Sequence, residues 1–524
     1  MADLAGFSRA ASGHLALAAL ALCGALGGCG GGDDGGGDAP GADGGGPPGV
    51  ELAADEGAIR LPVGGSAVVA VTAERTGGFE GDLVLEVSGL PGGVTAEPVS
   101  LPAGASEASL TLEATDAAEQ GGPLALSIQV RSPEDDSVAA ELERALYVAG
   151  PPGSLDASFG EGGIASLPLV DGQVLVRGIA LDREGRLLVA GTLSTPAGLE
   201  IALVRLTAGG QPDAELAAGG AIRTSLGGEE PRAMGVVATA DGILLSALLT
   251  SGDDDIHVVR RYTAAGLVDS SFGASGDVRL PGPVSLAPHM AVRGDQLLIA
   301  QEELVLALDA EGDIDTSLQA TSPLGGAAGA IAVDPAGAIL LGTAELGPQA
   351  LARLRPGGAP DGGFGAGGVL ALPLAAEYGG QKVASIAAGA DGGGLAIANA
   401  KHTSESLYRA HLVAFSPAGA LDPSFGEGGV LELGDATTSG VGVDLAIDAK
   451  GRAIVLGALG TEAFLWRFTR DGALDGELGD GGVVSLGSNA GVVGRRMIHD
   501  PVAGRVALCA GSTAGALTCS RRWL

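Results

Sequence analysis

The sequence predicts an all-β protein whose larger part is a seven-bladed β-propeller, and three observations predict it. Glycine accounts for 93 of 524 residues while aromatics make up 3%, a balance that suits many short strands of Ala, Val, Leu and Ile joined by tight turns. An Asp-centred marker recurs seven times along residues 154–524. Between markers the same set of short strands returns, and four strands per unit of roughly 40–60 residues is what a propeller blade requires. At 524 residues the chain is also too long for one ordinary core, so at least two domains are expected.

The first 28 residues read as an export signal. Arg9 is the firm positive charge ahead of an apolar run, His14-Leu-Ala-Leu-Ala-Ala-Leu-Ala-Leu-Cys23, too short to span a bilayer and placed where a secretory segment belongs. The run ends in Leu26-Gly27-Gly28-Cys29, which resembles the lipobox of bacterial lipoproteins. The resemblance implies cleavage before Cys29, acylation of its thiol, and an anchor in a bacterial membrane, with the outer membrane or cell surface favoured over the periplasmic face. Two or three acyl chains at ~0.8 kcal/mol per buried CH₂ hold stably where one would be marginal. Residues 30–49 contain eleven Gly, four Asp, three Pro and two Ala. Residues 29–49 therefore read as a disordered tether, with a reach of roughly 25 Å by random-coil scaling.

Residues 50–149 show period-2 strands between turns, with candidates at 58–61, 66–73, 82–87, 94–101, 108–114, 124–131 and 141–148. Seven or eight strands in about 100 residues suggest an immunoglobulin-like β-sandwich. The stretch Val87-Ser-Gly-Leu-Pro-Gly-Gly-Val-Thr-Ala-Glu-Pro-Val, followed by Leu110-Thr-Leu-Glu-Ala, resembles the cysteine-free Ig-like modules of bacterial surface proteins. Pro151-Pro152-Gly153 reads as a short hinge.

The clearest marker is Leu155-Asp-Ala-Ser-Phe-Gly-Glu-Gly-Gly163, and its Asp156 has counterparts at Asp213, Asp269, Asp315, Asp361, Asp422 and Asp475. The first hairpin of each unit is expected at 178–191, 236–248, 291–300, 331–342, 386–398, 445–457 and 498–510, a third strand as in 202–206, and a fourth after the marker as in 163–169. The last unit lacks its own fourth strand and the region opens with a spare one, 163–169. Pairing the two would complete the seventh blade and seal the edges. A hairpin with Asp-x-x-Gly, a Leu-x-Arg-Leu strand and a Leu-Asp-x-Ser-Phe-Gly loop together resemble the delta-60 repeat family over about 370 residues. That resemblance implies a propeller on a secreted or surface protein and no shared catalytic residues. The sequence departs from it where Leu216, Leu318 and Leu478 replace Phe, leaving those blades looser.

Few residues then stand out chemically. Cys509 and Cys519 fall on adjacent strands, equally spaced about a turn at 512–515, close enough for a disulfide that export makes expected. Asp182, Asp241, Asp334, Asp391, Asp448 and Asp500 recur in hairpin turns, where Asp and Gly serve turn geometry better than a carboxylate ring. Arg205, Arg261, Arg353 and Arg467 lie eight residues before a marker Asp, with Arg522 near-equivalent and Ala307 and Ala414 in two other units. A blade-to-blade ion pair is the expectation. Asp253-Asp254-Asp255 and Asp313-Ile-Asp315 read as solvated loops ahead of calcium sites. His499 reads as a core or turn residue, and Lys382, Lys401 and Lys450 close no P-loop. Trp466 and Trp523 are isolated and advertise no carbohydrate platform.

A net charge of −34 repels phosphate backbones and anionic lipid, which excludes nucleic-acid binding as a role. With no catalytic motif, cofactor or metal site in view, the expectation is a monomeric, non-enzymatic binding module for an envelope protein or extracellular ligand. The alternative is a propeller enzyme of lyase or glycosidase type with its site in the central channel. What recurs in every blade is what the blade needs to fold, so a true site belongs among the residues that do not repeat.

Overall fold

A computed structural model describes residues 47–524 apart from 56, 218, 228–229, 252–253, 283, 285–288, 319, 345–347, 375–377, 403–406 and 435–437. The expected signal segment, the lipidation site Cys29 and all but the end of the tether lie outside the described residues, as does Asp253. The described chain is all-β and forms two compact units, residues 47–148 and 149–524.

The first unit builds two antiparallel sheets, one of four strands and one of five, around a shared core that includes Leu61, Val71, Leu83, Leu110, Ile128 and Leu146. Strict alternation decides which face goes inward, as in Ser66–Thr76, where Val69, Val71 and Ala73 are buried between exposed neighbours. One strand lies outside the expected candidates and one expected strand needs correction. Gly49–Ala54 is a strand paired with Ser66–Thr76, so ordered structure begins where the tether was expected to end. The single strand expected at 94–101 is two, Val94–Ala96 and Val99–Leu101, which join different sheets. Pro98 lies between them and has no N–H to continue a ladder, so the chain crosses from one sheet to the other there.

The second unit holds seven four-stranded antiparallel sheets, numbered here by their first strands: Gln173–Leu181, Arg232–Ala238, His289–Arg293, Ala328–Val333, Tyr378–Ala388, Gly440–Ile447 and Val492–Asp500. Each first strand packs against the next, and the seventh packs against the first, a propeller-like ring. Sheets 1 to 6 are continuous meanders, whereas sheet 7 takes its outer strand, Ile164–Pro168, from far upstream and pairs it with Ala516–Trp523. The expected hinge belongs to this unit and is fixed: Gly153 N–H donates to Trp523 O at 2.8 Å and Gly479 N–H to Pro152 O at 3.1 Å.

The marker loop lies between the third and fourth strands, and its parts explain why it recurs. The Asp Oδ1 accepts the N–H two residues on, as at Asp156–Ser158 (3.1 Å) and Asp422–Ser424 (3.0 Å), fixing the turn. The following Phe159, Phe272, Phe364 and Phe425, and equally Leu216, Leu318 and Leu478, are at most 2% exposed, so the Leu units are plugged as fully as the Phe ones. The Gly after the plug donates its N–H to a turn carbonyl of the next sheet: Gly160 to Gly209 (2.7 Å), Gly273 to Glu311 (2.8 Å), Gly365 to Ala418 (2.8 Å) and Gly426 to Asp471 (2.9 Å).

Candidate anion site beside Arg177 and Arg232

The first strands surround the axis. In six of them, among the described residues, a β-bulge breaks the pairing with the second strand, at Arg177, Met234, Gly329, Ala384, Val443 and Gly494. An extra residue at a bulge bends the strand and re-aims the side chains that follow. Packing is tight there, since a Cβ on Gly178 would sit 2.8 Å from Gly235 Cα. The residues after the bulges are Gly178, Gly235, Ala330, Ser385, Asp444 and Arg495, small in the early sheets and charged in the last two.

These exceptions link sheets 5, 6, 7 and 1. Ser385 Oγ accepts Leu445 N–H at 3.2 Å, and the fully buried Asp444 accepts Met497 N–H at 2.8 Å through Oδ2. Arg496, 2% exposed, places Nη1 3.8 Å from Asp444 Oδ1 and donates from Nε to Arg177 O at 3.0 Å. Lys382 of sheet 5 lies within electrostatic reach of Arg496 and of Arg177 in sheet 1. Burial, then Arg496 and Arg177, push the Lys382 ammonium down to about 7, with Asp444 opposing. Burial, then Arg496 and Arg232, lower Arg177 to about 9, so it remains a cation at neutral pH. A cavity of ≈ 200 Å³ opens beside Arg177, lined also by Gln173, Leu175, Thr192, Ser194 and Arg232. Arg177 and Arg232 thus bring two cationic side chains to a partly enclosed space, where the field on an anion is least screened.

Lys382 is the residue that sequence reasoning passed over for want of a P-loop. Its signal was position: it stands two residues before a bulge, where sheet 1 carries Leu175, in a chain with three lysines.

A second polar group is buried between sheets 2 and 3. Ser246 Oγ lies 2.7 Å from His257 Nε2, and His257 Nδ1 lies 2.9 Å from Gln301 Oε1, whose amide donates to Pro281 O at 2.9 Å. Burial pushes His257 down to about 4 against the bond from Gln301. The ring is neutral, its Nδ1–H donating to Gln301 and its Nε2 accepting from Ser246. Serine and histidine in this geometry resemble a nucleophile and its base, but all three side chains are at most 1% exposed, so no substrate reaches them. They fasten two sheets.

The recurring arginines differ from expectation. Arg205, Arg261, Arg353 and Arg467 pair with Asp213, Asp269, Asp361 and Asp475 at 2.6, 2.8, 2.8 and 2.7 Å, each within its own sheet. Contact with the next sheet runs instead through a carbonyl, as from Arg205 Nη1 to Ala264 O at 2.6 Å. In sheet 7 the equivalent is Arg521, not Arg522: Arg521 Nε meets Asp156 Oδ2 at 2.7 Å, across the join between the two ends of the unit, while Arg522 donates to Gly153 O. Asp182, Asp334, Asp391, Asp448 and Asp500 each accept backbone N–H bonds within their turns, such as Asp448 from Lys450 and Arg452, both at 2.9 Å. Asp255 accepts from Thr250 and Asp315 from Ser317 and Gln296. Among the described residues no three His, Cys, Asp or Glu side chains cluster as metal ligands. Trp466 and Trp523 are 6% and 1% exposed, packed in cores. Cys509 and Cys519 face each other in register and are joined as a disulfide in sheet 7.

No protein-family model matches the chain, and no curated protein does. Similar solved structures include the calcium-binding protein regucalcin from Agrobacterium tumefaciens, 15% identical over 66% of this chain and 86% of that one, with a TM-score of 0.29. Prolyl oligopeptidase B from Galerina marginata is 10% identical over 65% of this chain and 47% of that one (TM-score 0.38). A DUF4784 family protein from Bacteroides caccae is 9% identical over 70% and 95% (TM-score 0.21).

Proposed function

We propose that the chain is an exported, lipid-anchored envelope protein whose seven-bladed β-propeller of delta-60 repeats, preceded by an immunoglobulin-like sandwich, acts as a non-enzymatic binding module. The observation that carries the reading is the composition of the axis. Among the described residues, Lys382 there feels Arg177, Arg496 and one carboxylate, Asp444, which accepts Met497 N–H and lies 3.8 Å from Arg496 Nη1. That set suits holding a ligand, since glycoside hydrolysis needs two carboxyl groups. Cys29 supplies the anchor and the Cys509–Cys519 disulfide holds the hairpin that receives the upstream strand, both in keeping with an oxidising compartment. The module works as a monomer, with an envelope protein or extracellular molecule as partner. Fractionation of cells producing Cys29→Ala tests the anchor: the variant is expected in the soluble fraction, and unchanged membrane association overturns the reading.

One observation favours a second reading, a lyase. An amine lowered to about 7 is a competent general base near neutral pH, and neighbouring guanidinium groups would stabilise the enolate formed when a proton leaves the carbon next to a carboxylate.

A further inference from the structure

We infer that the cavity beside Arg177 and Arg232 is a binding site for a small carboxylate- or phosphate-bearing ligand. The inference rests on the binding-module reading and names the ligand chemistry that this module would take. The cavity is bounded by sheet 1 except for Arg232, which comes from the first strand of sheet 2, so two arginines from different sheets line one space. Guanidinium is the side chain best matched to paired oxygens, because its planar donors meet a carboxylate or phosphate in a two-point fork. Gln173, Thr192 and Ser194 add neutral hydrogen-bonding groups on the same walls. Thr192 Oγ1 already accepts Ala233 N–H at 3.1 Å, which leaves its hydroxyl hydrogen as a donor toward an anion.

The surroundings reinforce the sign. Arg177 interacts electrostatically with Arg496 and Lys382. Among the described residues, Asp444 is buried against Met497 N–H, and Glu230 is exposed and 2.8 Å from Arg232 Nη2. Burial, then Arg496 and Arg232, disfavour the charged form of Arg177. An anion in the cavity relieves that repulsion. The residues responsible are also those that do not repeat, since the bulge position of Arg177 is Met, Gly, Ala, Val and Gly in the other bulged sheets.

The test is calorimetric titration of the purified full-length protein with inorganic phosphate and, separately, malonate, at constant ionic strength in chloride. Saturable binding of at least one probe is expected, weakened at least tenfold by Arg177→Gln and by Arg232→Gln. Preference between the probes tells phosphate from carboxylate ligands. No binding at millimolar concentrations, or binding unaltered in both variants, overturns the inference, with thermal melts confirming that the variants are folded. Membrane fractionation of Cys29→Ala is scored alongside. Release without anion binding removes this site and keeps the anchored module, whereas anion binding without membrane association does the reverse.

Discussion

At the marker loops the same contacts return from sheet to sheet: an Asp holding its turn, an Arg on that Asp, a buried Phe or Leu, and a Gly N–H reaching the next sheet. At the axis the first strands keep their bulges, but the residues around them change from Gly178 to Ser385, Asp444 and Arg496. The two regions face different demands. Each loop must meet the next unit in one geometry, so its chemistry is held constant. The axis needs close approach of strands and little else, which leaves side chains there free to specialise. The contrast implies that stability resides in the loops and leaves the first strands open to the binding proposed above.

The sharpest way to break that contrast is at the join. Asp156 is fully buried and accepts from Arg521 Nε (2.7 Å), Arg505 Nη1 (3.1 Å) and Ser158 N–H (3.1 Å). Asp156→Ala leaves the buried Arg521 without its carboxylate and Arg505 with Asp500 alone, and is expected to lose about 3–5 kcal/mol, read as a lowered thermal midpoint. Retention of wild-type stability would place the fastening elsewhere in sheet 7.

Asp156 also shows how much the sequence could disclose. Seven markers, their spacing and the spare strand ahead of Gln173 are visible because repetition multiplies a weak local pattern. Assigning the arginine partner of the first marker, Asp156, failed by one residue, Arg522 for Arg521, because that marker lies far upstream of its arginine and sets no count of eight. The split at Pro98 and the strand at Gly49–Ala54 were hidden for another reason: a strand of three to six residues beside a Gly- and Pro-rich stretch carries little periodicity. The axial cluster was least legible. Lys382, Arg177 and Arg496 are more than 100 residues apart in sequence, and bulges remove the alternation that would have marked their direction.

The second test concerns a fastening that repetition does not supply. His257 is neutral in the fold with a value near 4 against an ordinary 6.5, so between these values the unfolded chain binds the extra proton. Stability contributed by His257 is therefore complete above pH 6.5 and is lost as pH falls toward 4, by roughly 3 kcal/mol. Urea midpoints across that window are expected to fall more steeply for the wild type than for His257→Gln. Parallel slopes would mean that the Ser246–His257–Gln301 group opens to water and joins sheets 2 and 3 only loosely.

The smallest effect isolates the loop contact itself, through two glycines of one sheet. Gly419 and Gly428 both adopt left-handed backbone, φ +68° and +62°, where an alanine costs about 1–2 kcal/mol. A Cβ on Gly428 meets nothing within 4 Å, whereas one on Gly419 would lie 2.5 Å from Gly365 N and 2.8 Å from the Phe364 ring, in the marker loop of sheet 4. Gly428→Ala should thus show the backbone cost alone. Gly419→Ala should add about 1–3 kcal/mol for displacing the plug and the Gly365 N–H from Ala418 O. Equal losses in denaturant titrations of the two variants would show that the loop yields without penalty, and the division between a rigid recurring fastening and an adaptable axis would fail at its most repeated contact.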